Sequence, residues 1–306
     1  MRVFSSMILA LIFAAGTLRA AEVKIVTQRP DGQSGRTTLA KRTTEDRVYQ
    51  LVPHLAASQT WKSQLLIRND SGSVIDLDLD FFGQSGIDFL NRVEMDMITS
   101  DNEAITAGAL NVILNPFEIF TLEFREIYDT VDQVFLINFQ VFVSSSVADG
   151  QYSLEPQFYW FPNAPTQKVA AVGVAVQQPG DKFFMNIDRR LDLDTNYQRI
   201  RGIAITNFET VQNDCSIAVF DQYGSVDPVI EVDITLGDSE KLVDRVDNII
   251  PNLDNLLPDG LGLFDCRCTG LVGALGLVFE PPIQTVGSVP IDFYEIEGNK
   301  RIVRPR

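Results

Sequence analysis

The chain is short of the side chains that carry most chemistry. Its 306 residues include one histidine, three cysteines and two tryptophans. A single imidazole excludes a two-histidine metal site and makes any imidazole-based triad depend on His54. His54 lies between Pro53 and Leu55 at the end of an apolar run, where a packed, structural role is expected of it. The two GQSG tetrapeptides, at Gly32 and Gly83, lack the glycine that completes a nucleophile elbow. Phosphate-binding and dinucleotide-binding glycine motifs are missing as well. No enzymatic activity, cofactor or resident metal is expected.

Positive charge is also scarce. Lys and Arg number 25 against 41 Asp and Glu, a net charge of −16. Such a polyanion repels nucleic acid and anionic lipid. After the N-terminus no apolar run approaches the ~20 residues that span a bilayer, so no transmembrane segment is expected. Ala/Leu/Glu/Lys stretches are few, while Val, Ile, Phe and Thr recur in short runs, a composition that leans towards strands.

What is present begins with an export signal. MRVFSSMILALIFAAGTLRAAEV has a basic residue, Arg2, an apolar run from Met7 to Ala15, and small residues at Ala20 and Ala21. This pattern predicts a secretory signal over residues 1–20, removed after Ala20, and places the mature chain in the periplasm or outside the cell. Residues 21–46 read as a flexible polar arm and 299–306 as a basic tail.

An oxidising compartment would close one pair among Cys215, Cys266 and Cys268. Cys266 and Cys268 flank one residue, and a direct bridge between them would be strained. The expected pair is therefore Cys215 with one of the two, leaving one thiol. Zinc would lack a fourth ligand.

Leu65–Gly86, LLIRNDSGSVIDLDLDFFGQSG, aligns without a gap with Ile203–Gly224, IAITNFETVQNDCSIAVFDQYG. Asn69 matches Asn207, Asp76 matches Asp214, Phe82 matches Phe220 and Gln84 matches Gln222. Farther on, Phe158-Tyr159 is set against Phe293-Tyr294. The halves read as a duplication, each a run of short strands separated by turn residues. In the first half the expected strands are residues 47–52, 63–69, 73–82, 110–114, 119–124, 134–143 and 152–161. The fold class is all-β: two tandem antiparallel sandwiches over 47–163 and 164–298. The second carries one short helix, because DSEKLVDRVDNII spaces Leu242, Val243, Val246, Ile249 and Ile250 at helical intervals behind an Asp238 or Ser239 cap. A single turn at REIYD is expected in the first.

In IDLDLDFF, strand alternation puts Leu77, Leu79 and Phe81 on one face and Asp76, Asp78 and Asp80 on the other. The second copy keeps the apolar face (Cys215, Ile217, Val219) but only one of the acids, Asp214. The acidic side therefore reads as a solvated face that discourages aggregation, not as a cation site. Asp192 and Asp194 share one face with Asp188 close by, and the arginines alongside them read as surface ion-pair partners.

LVPHLAASQTWKSQLLIRND, with FFGQSG behind it and RIRGIAITNFE through FDQYGS in the second half, resembles tandem secreted bacterial β-sandwich repeats of the immunoglobulin-like or fibronectin-type-III-like kind. The resemblance implies a sandwich fold and an exported location, but no activity. A structural or protein-interaction role at the cell surface or in the periplasm follows as the expectation. A second reading is carbohydrate binding: QFYWFP places Phe158, Tyr159, Trp160 and Phe161 in a row, and Tyr159 or Trp160, with Trp61, could stack on a sugar unless buried where the halves meet. A third, a pilus-assembly chaperone, fits two sandwiches and a signal sequence, but the strong acidity speaks against it. The expected partner is a protein or a cell-surface polysaccharide.

Overall fold

The computed structural model describes residues 22–25, 48–58, 61–83, 95–99, 104–105, 109–126, 137–145, 151–160, 170–191, 198–223, 226–238, 240–280, 285–297 and 300–303. The first half holds β1 (Glu22–Ile25), β2 (Val48–Ala57), β3 (Trp61–Asn69), β4 (Ile75–Gly83), β5 (Met95–Thr99), β6 (Ala104–Ile105), β7 (Ala109–Leu114), β8 (Ile119–Glu126), β9 (Ile137–Ser145), β10 (Tyr152–Trp160) and β11 (Ala170–Gly173). The second holds β12 (Gly180–Asp188), β13 (Ile200–Asn207), β14 (Asn213–Asp221), β15 (Ile230–Leu236) and β16 (Lys241–Arg245). It continues with two single-turn helices, α1 (Val246–Ile249) and α2 (Leu253–Leu256), then β17 (Leu261–Glu280), β18 (Thr285–Val289), β19 (Ile291–Glu297) and β20 (Lys300–Val303). Every strand pairing is antiparallel, and the fold is all-β. Among the described residues no helix is long and apolar enough to cross a membrane.

Two sheets face each other in the first half, in the orders β1-β7-β4-β9-β2 and β11-β10-β3-β8-β5-β6. Alternation drives the packing: Leu77, Leu79 and Phe81 of β4 meet Leu65 and Ile67 of β3 and Phe120, Leu122 and Phe124 of β8 in one buried cluster. The strand order departs from the immunoglobulin one. There the first strand lies beside the second and the last beside the penultimate. Here β2 lies beside β9 and β10 beside β3, so the outermost strands have exchanged sheets. Either sheet can host them, because each strand still presents alternate residues to the same interior.

The second half follows the same order. β15, β14, the first part of β17 and β12 are neighbours, as β7, β4, β9 and β2 are. β18, the last part of β17, β13 and β16 form the other layer, as β11, β10, β3 and β8 do. β17 differs from its counterparts by running unbroken through both layers, with β14 paired along Gly262–Cys268 and β13 along Val272–Phe279. Such corner-turning strands bend where side chains are absent, and Gly270 and Gly273 lie there. Phe183, Met185, Ile203, Ile205, Ile217, Val219 and Phe264 fill this interior, and Val246, Ile250, Leu253 and Leu257 close one end.

Four expectations change. Residues 241–245 form β16 rather than a helix, since β13 needs a partner along Gly202–Thr206. Leu242 and Val246 share a face in either conformation, which is why the spacing looked helical. Only α1 remains of the expected helix, as a single turn, and α2 is a second single turn beyond the expected span. Phe293 pairs across from Phe183 on β12, whereas Phe158 pairs with Ser63 on β3 and Val172 on β11; the two Phe-Tyr pairs occupy different places in the fold. The arm contributes β1, which pairs with β7, and the tail contributes β20, a hairpin with β19. The acidic face of β4 is solvated only in part. Asp76 and Asp78 share the amide of Asn111, but Asp80 is buried. Phe82 on the same face packs with Leu51, Phe142 and Phe208, because the second half covers that end of the sheet. The REIYD turn lies largely outside the described residues, as do 1–21, 26–47 and 304–306.

Candidate functional site

Three places gather polar or reactive side chains. The first is a buried corner that both halves build alike. Asn69 ends β3, and its Nδ2 donates to the carbonyls of Ser73 (2.7 Å) and Asn115 (2.8 Å) while its Oδ1 accepts from the Ser71 amide (2.9 Å). Asn207 ends β13. Its Nδ2 donates to the carbonyls of Val211 (2.8 Å) and Gly237 (2.7 Å), and its Oδ1 accepts from the Glu209 amide (3.0 Å). A glutamate completes each corner: Glu118 accepts from the Asn115 amide and Glu240 from the Gly237 amide. The backbones match too, with the Asn69 amide donating to Glu118 and the Asn207 amide to Glu240. One side chain thereby ties the end of one strand to the turn that leads into its neighbour, satisfying backbone groups that a sharp corner would orphan.

The seam between the halves is the second place. Lys241, 2% exposed, donates from Nζ to the Phe139 carbonyl at 2.9 Å. Burial pushes its ammonium well below the usual lysine range. His54, on β2, is likewise buried and stands edge-on to Phe158 with ring centroids 5.3 Å apart. Burial foremost, and then the nearby Lys241 charge, hold its imidazole below 6.5. Its Nδ1 has no hydrogen-bond partner in the described residues. Around this pair, Thr206 Oγ1 donates to the Pro53 carbonyl (3.1 Å), the backbones of Leu51 and Gln177 exchange two hydrogen bonds, and the Gln177 amide serves Ala274 N and O. Leu51 approaches β17 so closely that a Cβ on Gly273 would stand 2.1 Å from it.

The third place is the interior of the second half, where three sulfurs lie within 4.8 Å of one another. Cys215 and Cys268 face each other across β14 and β17 and are joined as a disulfide. Cys266, one inward position along, keeps a buried thiol 3.8 Å from the Cys268 sulfur. Burial, aided by the Asp265 charge, pushes that thiol far above the ordinary range, which denies it the thiolate needed for attack or metal ligation.

The aromatic residues separate in space. Trp61 lies against the first interior, its ring tilted on Phe158 at 5.5 Å. Tyr159 takes the opposite face of β10, where its hydroxyl has Gln64 Oε1 (3.0 Å) and Gln157 Oε1 (2.9 Å) as alternative acceptors for its one proton, and Gln64 donates on to Glu123. Partial burial and the Glu123 charge raise its phenol. Trp160 pairs with Trp61 through the backbone, and its side chain lies outside the described residues. No sandwich-fold signal had pointed to Lys241, whose counterpart by register is the exposed Ile119. The corner asparagines had a signal, their matched places in the two aligned stretches, whereas the glutamates follow them at unequal distances and gave none.

No protein-family model matches the chain, and no curated protein or solved structure matches it significantly.

Proposed function

We propose that this chain is an exported, non-catalytic β-sandwich protein, built by duplication of one sandwich, that acts structurally or as a protein-binding element at the cell surface or in the periplasm. The observation that carries the reading is where the reactive groups lie. The only histidine and the only unbridged cysteine are both buried inside the protein, away from any substrate in solution. The shared corner and strand order support the duplication, and the disulfide suits an oxidising compartment. Rigid sheets of this kind present edges and loops to a partner. Cell fractionation with N-terminal sequencing tests the location: a mature chain beginning near Ala21 outside the cytoplasm is expected, and a cytosolic chain retaining Met1 would defeat it.

The Tyr159 face supports a second reading, carbohydrate binding, since a ring ringed by Gln64, Gln157 and Glu123 offers both a stacking surface and hydrogen bonds. Polysaccharide pull-down by the purified chain, lost on Tyr159→Ala or Trp160→Ala, would favour it over a purely structural role.

A further inference from the structure

We propose that the outer edge of β15 receives an extended strand, and that its occupant is the Glu22–Ile25 segment of a second copy of this chain. The inference rests on how the two halves treat the same edge. β7 and β15 stand in equivalent places: Leu114 pairs with Ile75 at the start of β4, and Leu236 pairs with Asn213 at the start of β14. Counting back from there, Val112 corresponds to Ile234, Asn111 to Asp233 and Leu110 to Val232. On its far side β7 is covered by β1, with Val23 opposite Val112, Lys24 opposite Asn111 and Ile25 opposite Leu110. Among the described residues β15 ends its sheet and has no strand beyond it.

Burial records the difference. Val112 and Leu110 are 0% and 1% exposed. Ile234 and Val232, in the same places, are only partly buried against the second interior. An edge that presents unpaired amides and carbonyls above half-covered apolar side chains is a template for strand addition. The chemistry of the edge selects what adds. Glu231 and Asp233 point away from the interior, both exposed. A second β15 laid antiparallel about Asp233 or Val232 would set acid opposite acid, which cross-strand pairing disfavours. The Glu22–Ile25 segment, laid on β15 in the register it holds on β7, sets Val23 opposite Ile234, Ile25 opposite Val232 and Lys24 opposite Asp233. In that register Lys24 stands across from an acidic residue, where on β7 it stands across from Asn111.

Donation to a neighbour exchanges four residue pairs for four, so the closed and donated forms differ by this opposite-charge pairing and by concentration. Because the donor and acceptor surfaces are different, each addition leaves a fresh acceptor, and the association is head-to-tail and open.

This deepens the structural role proposed above and rests on it, yet purified protein tests it independently of location. Full-length Lys24→Cys and Asp233→Cys chains are mixed at increasing concentration under mild oxidation. A mixed disulfide-linked dimer, absent from either variant alone, is expected. Sedimentation of Lys24→Glu should show self-association weakened about tenfold, with Asp233→Lys in the same chain restoring it. A Lys24→Cys/Asn111→Cys chain serves as control by bridging internally. If the control bridges and the mixture yields no cross-link at any concentration, the proposal is overturned, while an extracellular location would leave the broader reading standing. A cytosolic chain that nevertheless cross-links would do the reverse.

Discussion

Replacing Asn207 by alanine probes the shared corner most directly. The substitution removes two donated bonds, to the Val211 and Gly237 carbonyls, and two accepted ones, from the Glu209 amide and the Asn213 side-chain amide. The asparagine is fully buried, so water does not replace these bonds without moving the turn. At about 1 kcal/mol net per hydrogen bond, the expected loss is about 4 kcal/mol. Asn69→Ala removes a similar set from the first half, leaving over the carbonyls of Ser73, Leu114 and Asn115 and the amide and hydroxyl of Ser71, and should cost about the same, again ~4 kcal/mol. Asn111→Ala makes a suitable control, since that amide meets two carboxylates on a wetter face and its loss should stay near 0.5 kcal/mol. Urea unfolding followed by circular dichroism reads all three. Should Asn207→Ala unfold at the same midpoint and slope as Asn111→Ala, the corner is incidental to the fold and the reasoning fails.

Further outcomes concern the interior. His54 has a folded pKa below 6.5 while the unfolded one is ordinary, so below pH 6.5 the unfolded chain binds more protons. Stability should therefore be complete above pH 6.5 and decline on acidification, by at most about 1.4 kcal/mol per pH unit from this group. A stability profile that His54→Phe does not flatten would refute the attribution. Cys266 should resist iodoacetamide in the native chain and react after unfolding without reductant; prompt native labelling, or peptide mapping that links Cys266 instead of Cys215 with Cys268, would contradict the sulfur arrangement. Cys215→Ala opens a link between residues 53 apart in sequence, which the loop-entropy argument values at about 4 kcal/mol. Gly273→Ala forces its new methyl against the buried Leu51 and should cost about 1–3 kcal/mol by overpacking the seam; an unchanged melting temperature would mean that Leu51 has room to move.

The legible part of the fold was whatever alternation controls. Leu77, Leu79 and Phe81 face inward as their spacing requires, and the strands around them follow. Residues governed by the other half were not legible. Phe82, Asp80 and Lys241 occupy outward positions, and a single sheet gives no hint that a neighbour will cover them. β13 and the end of β17 show why: Ala204, Leu275 and Leu277 join the first interior while Ile203, Ile205 and Ala274 join the second. A sheet buried on both sides reads as a continuous apolar run such as LVGALGLVF, and loses the alternation that would assign its faces. For the candidate sites, aromatic residues were easy to find, but strand parity alone could not tell that Trp61 would lean onto Phe158. The edge of β15 was invisible in the sequence, because an edge is defined by what fails to pair with it.

The twenty-residue β17 carries one further consequence. A strand shared by both layers leaves them no independent way to come apart, since separating either means dragging the same backbone out of the other. Deuterium uptake along Leu261–Glu280 should accordingly rise in one step under increasing denaturant, and tension applied across this half would be borne along a single uninterrupted main chain.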